Sequence, residues 1–193
     1  MASKVWDERN FVLDKKYWSG TKKLNGTIDN AAAVDNTDGM TRIPITGHGM
    51  SADNMIRIAG SVAYNGIWTI VSVAANYIVI NTAYVAETFA GTETYTTCFQ
   101  IDPTTEDYEL IEARLTLSAA AAAENFVISL DSDTGAAWDC TLKTVAMSGL
   151  LFSDVEFTPD TRKFCDGGDV VLFTHVNTNN RTWGLELIYR RHS

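Results

Sequence analysis

The sequence predicts an all-β protein with an N-terminal arm, a small β-barrel and an antiparallel, jelly-roll-like β-sandwich. Three observations predict this class. The chain has only three prolines but many threonines, β-branched apolar residues and aromatics, short segments alternate apolar and polar residues, and glycine- or asparagine-containing turns separate them. We divide the 193 residues into an arm at 1–35, a barrel at 36–99 and a sandwich at 105–193.

The charge of the chain is uneven. The formal net charge is −9, which argues against nucleic-acid binding, because neutralising phosphates needs clustered lysine and arginine. Residues 1–23 nevertheless hold six basic and three acidic side chains. The start of the sequence lacks the apolar core of a signal peptide, and no stretch approaches the roughly 20 apolar residues of a membrane span. We therefore expect no membrane association.

The arm combines basic charge with four large aromatic residues, namely Trp6, Phe11, Tyr17 and Trp18. Leaving such side chains in water is costly, so we expect them to pack on the chain's own body or on another molecule. A basic, aromatic arm on an acidic body favours the second alternative. We predict that these four residues dock onto a neighbouring subunit, with apolar contact giving affinity and charge giving register.

The barrel module is predicted from short strands that follow one another closely. "TRIPIT", "NMIRIAG", "IWTIVSV" and "NYIVINTAY" are the strand-like segments. Between the second and third, Asn65-Gly66 favours a tight type I′ hairpin turn. Four or five short strands over so few residues cannot bury one face as a flat sheet, so a curled barrel is the expected solution.

The sandwich is predicted from six further segments at the spacing typical of antiparallel sandwiches. The segment "DVVLFTHV" at 169–176 is apolar on both faces, which is typical of a central strand. The run of five alanines within 118–125 is too short for a stable helix, so we expect a loop there. The side chains expected to point inward in the first and third segments are Ile111, Ala113, Leu115 and Leu117, and Trp138, Cys140 and Leu142.

The segment "ITGHGMSADNMIRIAG" is the strongest candidate for chemistry. His48 stands between two glycines, with Ser51 and Asp53 close behind, so the three residues could form a Ser-His-Asp triad or simply a turn. Triad residues normally converge from distant parts of a chain, and the sequence has no G-x-S-x-G elbow. We therefore favour the structural turn and assign no catalytic residue, so the chain is predicted not to be an enzyme.

Metal and cofactor motifs are also missing from the sequence. No H-x-x-x-H or paired C-x-x-C pattern is present, and we predict no metal ligands and no cofactor. The segment "DSDTGAAWD" at 131–139 resembles a calcium loop but lacks its glycine at position six and its final glutamate, so we expect a hairpin loop. His175, within an apolar strand, is expected to be structural. Paired carboxylates for glycoside hydrolysis stay open, because the 24 acidic residues offer many pairs.

The three cysteines, Cys98, Cys140 and Cys165, are widely spaced and odd in number. A disulfide framework is not expected from such a pattern, so we predict reduced and mostly unreactive thiols. Cys165 follows basic residues and precedes "DGGD", which makes it the expected exposed thiol.

Two long stretches carry a resemblance to a known class. "ITGHGMSADNMIRIAGSVAYNGIWTIVSV" and "VINTAYVAETFAGTET" resemble a module of tailed-bacteriophage virion proteins. "ELIEARLTLSAA", "ENFVISLDSDTGAAWD" and "NTNNRTWGLELIYR" are similar to phage structural-gene products of unassigned role. Together they cover most of residues 41–190. The chain departs from the pattern at 52–55, where Ala-Asp-Asn-Met replaces the usual small turn residues.

The resemblance implies a non-enzymatic structural component of a virion, assembled in the host cytoplasm. A capsid-decorating or other head-associated accessory protein, present in multiple copies, is the expected role. Its partners would be other copies of itself and other virion proteins. The alternatives are a tail-associated module that binds host carbohydrate, and a hydrolase of envelope polysaccharide.

Overall fold

The structure is a computed structural model that describes residues 11–101, 107–158 and 163–192, with only the backbone at Phe11 and His192. These residues form fifteen strands and one short 3₁₀ turn. The strands are β1 (Phe11–Thr21), β2 (Asn25–Thr27), β3 (Val34–Asp35), β4 (Thr41–Pro44), β5 (Met55–Ala59), β6 (Gly66–Ala74), β7 (Tyr77–Ile80), β8 (Thr94–Phe99), β9 (Tyr108–Leu117), β10 (Asn125–Asp131), β11 (Cys140–Ala146), β12 (Phe152–Glu156), β13 (Lys163–Cys165), β14 (Val170–His175) and β15 (Thr182–His192).

The strands form two large antiparallel sheets, which confirms the all-β class. The five-stranded sheet has the order β1-β15-β9-β12, with β13 also beside β9. The ten-stranded sheet has the order β11-β10-β14-β8-β5-β6-β7-β4-β3, with β2 beside β8. β14 lies between β10 and β8, as its apolar residues on both faces predict.

The sandwich core lies between the five-stranded sheet and the first four strands of the larger one. Period-2 alternation directs one side of each strand into it. Its largest members are Trp18, Phe99, Tyr108, Phe126, Phe173 and Trp183. Phe126 and Phe173 stack with their ring centroids 6.4 Å apart, and Trp18 packs against Phe173 at 5.7 Å. The sandwich prediction is confirmed.

A second core fills the N-terminal part and is rich in isoleucine. Its buried isoleucines are Ile28, Ile43, Ile45, Ile56, Ile58, Ile70, Ile78 and Ile80. β8 joins the two cores, since Tyr95 belongs to the second and Phe99 to the first. The backbone N–H of Ile28 donates to Glu93 and that of Asp29 to Pro44, so the segment after β2 contacts strands on both sides. The predicted barrel stays a prediction.

Residues 11–21 of the arm belong to the sandwich, whereas Ile28 and Ala33 belong to the isoleucine-rich core. β1 pairs with β15 at every residue from Phe11 to Thr21, and Trp18 is only 3% exposed in the sandwich core. Sequence reasoning placed these residues outside the body because the charges of β1 interrupt any clear apolar alternation. Residues 1–10 lie outside the described part of the chain.

Three side chains predicted to point inward do not, namely Ile111, Trp138 and Cys140, of which Cys140 is exposed at the start of β11. Ile111 is the extra residue of a bulge: Ile188 of β15 pairs with Glu112, and the next residue, Tyr189, pairs with Leu110. Because a bulge shifts the alternation by one residue, Leu110 rather than Ile111 is fully buried. Trp138 lies in the 3₁₀ turn between β10 and β11 and is 66% exposed.

The connections also differ in detail from the sequence analysis. β5 and β6 form the predicted hairpin, but a loop over residues 60–65 joins them instead of a two-residue turn. Its positive φ angles fall at Gly60 (88°) and Gly66 (135°), not at Asn65. The alanine run at 119–123 is a loop without helix, as expected.

Candidate functional site

The Gly-His-Gly turn connects β4 to β5 and requires its glycines. Gly47 has φ = 61° and Gly49 has φ = 66°, in the left-handed region that disfavours side chains. A Cβ on Gly49 would also lie 1.9 Å from the carbonyl oxygen of Thr21. A side chain at either position is therefore strained, and at Gly49 it would also displace the backbone of Thr21.

His48 is held by main-chain groups through both ring nitrogens. The N–H of Met50 donates to Nδ1 at 2.9 Å, and Nε2 lies 2.7 Å from the carbonyl oxygen of Ala74. Because an amide can only donate and a carbonyl can only accept, the ring carries its proton on Nε2 and is neutral. A histidine with both nitrogens occupied and 5% exposure is not a free base for Ser51, so the structural turn fits better than the triad.

The turn also fastens the end of β1. The N–H of Thr21 donates to the carbonyl of Gly49 at 2.6 Å. The side chain of Asn54 donates to the carbonyl of Ser19 at 2.9 Å, and its oxygen lies 3.4 Å from the N–H of Ser19. We call residues 47–54 the clamp. It connects the edge of the sandwich to the isoleucine-rich core.

Two glutamates hold loops of the N-terminal region. Glu87 accepts hydrogen bonds at 2.8 Å from the hydroxyl of Ser61 and the N–H groups of Val62 and Ala63. Burial raises the pKa of Glu87, but these bonds together outweigh burial and leave that pKa lowered. Glu93 accepts from three consecutive N–H groups, which also lowers its pKa, that of Ala90 contributing most. No sequence motif marks either residue.

The acidic loop at 131–139 uses its oxygens internally. Asp169 accepts from the hydroxyl of Ser132 and the N–H groups of Asp133 and Asp166, each at 3.0 Å. Asp139 accepts from the N–H of Ser132 at 2.9 Å. Within residues 11–101, 107–158 and 163–192, no group of three or more histidine, cysteine or acidic side chains has the arrangement of a metal site. The hairpin-loop interpretation therefore fits better than the calcium loop.

Two clefts adjoin this loop and share an ion pair between Arg57 and Asp131. One has a volume of about 420 Å³ and reaches Gln100. The other has a volume of about 330 Å³ and reaches Asp139 and Cys140. Trp138 is exposed directly beside Asp139 in the chain. The charged groups that line these clefts can accept and donate hydrogen bonds to a polar ligand.

His175 is buried in β14 and has a structural environment, as expected. Its Nδ1 lies 3.2 Å from the carbonyl oxygen of Asn125, and its Nε2 lies 3.5 Å from Oε1 of Glu124. The other oxygen of Glu124 accepts from both the hydroxyl and the N–H of Thr178. The pair fixes the start of β10 to the loop after β14.

A carboxylate cluster lies on the outer face of the five-stranded sheet. Arg114 contacts Glu112, Asp154 and Glu186 on three neighbouring strands. Burial raises the pKa of Glu112, and a hydrogen bond with Asp154 raises it further. A carboxyl with a raised pKa beside a second carboxylate is one element of glycoside hydrolysis. Here the arginine between three acids makes a cross-strand ion-pair network the simpler description.

None of the three cysteines is in a disulfide in this structure, and their exposure differs from expectation. Cys98 and Cys165 are buried, whereas Cys140 is exposed. Burial raises the pKa of Cys165 to about 12 and also strongly raises that of Cys98. The prediction that Cys165 is the exposed thiol is wrong, because β13 pairs with β9 and turns this side chain into the sandwich core.

The four predicted docking residues have different environments. Trp6 lies outside the described residues, and at Phe11 only the backbone is described. Tyr17 is 62% exposed and available for contact. Trp18 is buried in the sandwich core, so its predicted docking role does not fit the structure.

Comparison with protein-family models, with curated proteins and with solved structures found no match. In the part of the chain that the structure describes, no helix is long and apolar enough to span a membrane.

Proposed function

We propose that this chain is a non-enzymatic structural component of a tailed-phage virion. Our preferred role is a capsid-decorating or other head-associated protein, present in multiple copies and in contact with copies of itself and other virion proteins. The resemblance of residues 41–190 to phage structural proteins motivates the proposal. Its localisation would be the virion, after assembly in the host cytoplasm.

The observation that carries the proposal is the environment of His48. The segment with the clearest resemblance also contains the most plausible catalytic histidine, and both ring nitrogens of that histidine bond the main chain. The segment therefore serves to hold two β regions together. This is the role expected of a module whose task is mechanical support.

The test is a cryo-EM map of phage particles whose genome encodes this chain, together with quantitative mass spectrometry of the purified particles. The proposal expects density for this two-core fold at many symmetry-related positions on the head. Particles that lack the chain would contradict the proposal. Release of reducing sugar from host polysaccharide by the purified wild-type chain, lost in Glu112→Gln, would instead support the hydrolase.

A glycan-binding role in the tail is the second candidate, because Trp138 is exposed in the turn before Asp139, and Asp139 lines one of the clefts at Arg57. An exposed indole stacks on the apolar face of a sugar ring, and the adjacent charged groups accept and donate hydrogen bonds to hydroxyls. The test is binding to a host-glycan array, with Trp138→Ala compared with Phe164→Ala, another exposed aromatic. Loss of binding in the first variant alone would support this role, and no binding by the wild type would contradict it.

A further inference from the structure

The free edge of β1 is the feature that carries a new inference. β1 lies at the end of the five-stranded sheet, and among the described strands it pairs with β15 over its eleven residues. On its other side, the clamp bonds Ser19 and Thr21. Before Ser19, no described strand pairs with that side. An unpaired strand edge is a template for pairing with another chain.

The backbone groups of three residues point toward this free side. In an antiparallel strand, the N–H and C=O of one residue point to the same side, and neighbouring residues alternate. The N–H and C=O of Ser19 point away from β15 toward Asn54. The same groups of Tyr17, Lys15 and Leu13 therefore also point away from β15. They supply three donors and three acceptors in a row.

The side chains of β1 fit a second copy of the same strand in one register. We propose that two copies pair antiparallel through β1, with a two-fold axis at Lys15. Asp14 of each chain then lies opposite Lys16 of the other, and Leu13 lies opposite Tyr17. The result is two opposite-charge pairs on one face and two apolar pairs on the other. The paired length, residues 12–18, matches the unpaired part of the edge.

Neighbouring registers are less favourable. Another register keeps the two faces of the sheet only if the two-fold axis moves by a whole residue, to Asp14 or to Lys16. An axis at Asp14 places the two Asp14 carboxylates opposite each other, and an axis at Lys16 does the same to two lysines. With the axis at Lys15, the two lysines also face each other, but each already binds Glu186 at 2.8 Å. Leu13 and Tyr17 are 61% and 62% exposed, and pairing removes part of this apolar surface from water.

A charge-swap series on the full chain tests this pairing by sedimentation and light scattering across concentration. Lys16→Asp and Asp14→Lys each place like charges opposite one another and should weaken dimerisation at least tenfold. The double variant restores opposite charges and should recover most of it. Thermal unfolding of each variant provides the control, because Asp14 also binds Arg191 within the chain. Wild-type chain that stays monomeric at all concentrations would overturn the proposal.

Cross-linking tests the register directly. In a background with Cys140→Ser, Lys15→Cys places two thiols across the axis. Directly opposite, hydrogen-bonded residues have Cα atoms about 5.5 Å apart, which suits a disulfide. Ser19→Cys is the matched control, since it is exposed on the same strand but distant from its symmetry mate. A disulfide dimer with the first variant only is expected, and equal cross-linking by both would overturn the register.

This inference rests on the proposed function only in that a virion component meets many copies of itself. A chain that dimerises through β1 but is absent from particles would refute the virion proposal and leave the pairing intact. A chain that is found in particles but stays monomeric would refute the pairing through β1 and leave the virion proposal intact.

Discussion

The two cores of this protein are stabilised in different ways. The sandwich core packs large aromatic side chains between two sheets, and its longest strands, β1, β9 and β15, have ten or eleven residues each. The isoleucine-rich core is enclosed by shorter strands and by loops that polar side chains fasten, namely His48, Asn54, Glu87 and Glu93. Apolar packing dominates the first, and side-chain bonds to the backbone are essential to the second.

The difference between the two cores shows where strand pairing satisfies the backbone hydrogen bonds and where individual side chains must do so. Long paired strands satisfy their own backbone groups, so side-chain bonds to the main chain of the sandwich are concentrated in its loops, as at Asp169, Asp139 and Glu124. Short strands leave more loop backbone to satisfy. In the N-terminal region, buried or half-buried carboxylates and one neutral imidazole form hydrogen bonds with this loop backbone.

The largest expected effect is in the sandwich. Trp183→Ala removes a fully packed side chain and should cost about 3–5 kcal/mol of unfolding free energy, measured by urea denaturation. Trp183→Phe is the control. The indole N–H of Trp183 is buried without a hydrogen-bond partner among the described residues, so losing that group costs little, and phenylalanine should retain most of the stability. A cost below 1 kcal/mol for alanine would contradict this description of the core.

The clamp should be sensitive to a single methyl group. Gly49→Ala combines a positive φ with the contact to Thr21 and should destabilise by about 2–4 kcal/mol. Gly39→Ala is the matched control: its φ is 82° and nothing lies within 4 Å of the added Cβ. It therefore isolates the conformational cost of about 1–2 kcal/mol. Equal losses in the two variants would show that the approach of Thr21 is unimportant.

The two regions should respond to pH with opposite signs. Glu87 has a lowered pKa when folded, so the stability it contributes is present above its ordinary value of 4.5 and is lost as pH falls through the folded value. Glu87→Ala should cost about 1–2 kcal/mol at pH 7, and less in acid. Glu112 has a raised pKa, so its contribution is lost as pH rises through that value.

Chemical denaturation of Glu87→Ala and Glu112→Gln between pH 3 and pH 7 measures this difference. Relative to the wild type, the first variant should lose most stability at neutral pH. The second should become relatively more stable as pH rises. The same pH trend in both variants would contradict the assigned causes of the two shifts.

The smallest effect concerns thiol labelling, which reports on the sandwich core through Cys165 and on the burial of β8 through Cys98 without a mutation. Cys140 should react with iodoacetamide in the native protein, whereas Cys98 and Cys165 should react only after opening, because the thiolate is the reactive form and burial disfavours it. Mass spectrometry of the labelled peptides measures each rate. Native labelling of Cys165 as fast as that of Cys140 would contradict the burial of β13 against β9.

Alternation in the sequence was sufficient to predict the sandwich. The pattern of Leu185 and Leu187 against Glu186 predicts the correct faces of β15, because period-2 burial is a local property. The bulge at Ile111 could not be predicted in this way, since an extra residue depends on the partner strand. Trp138 was misassigned because an apolar residue at the correct spacing can equally occupy the turn before a strand.

The candidate site was only partly predictable. Gly47 and Gly49 identified a turn, since glycine permits positive φ. What the turn contacts could not be derived, because the partners of His48 and Gly49, at Ala74 and Thr21, are distant in the chain. The burial of Trp18 was missed for the same reason, as β1 acquires its alternation only when β15 lies beside it.

The most direct test of the clamp is hydrogen exchange on His48→Ala, followed amide by amide. The variant loses the bonds from the ring to Met50 and Ala74, so the amides of Gly47 and Thr21, which bond Ala75 and Gly49, should exchange faster. Amides of β10 and β14 in the sandwich should keep their protection. Unchanged exchange at Thr21, or equal loss of protection in both cores, would contradict a clamp that joins two separately stabilised regions.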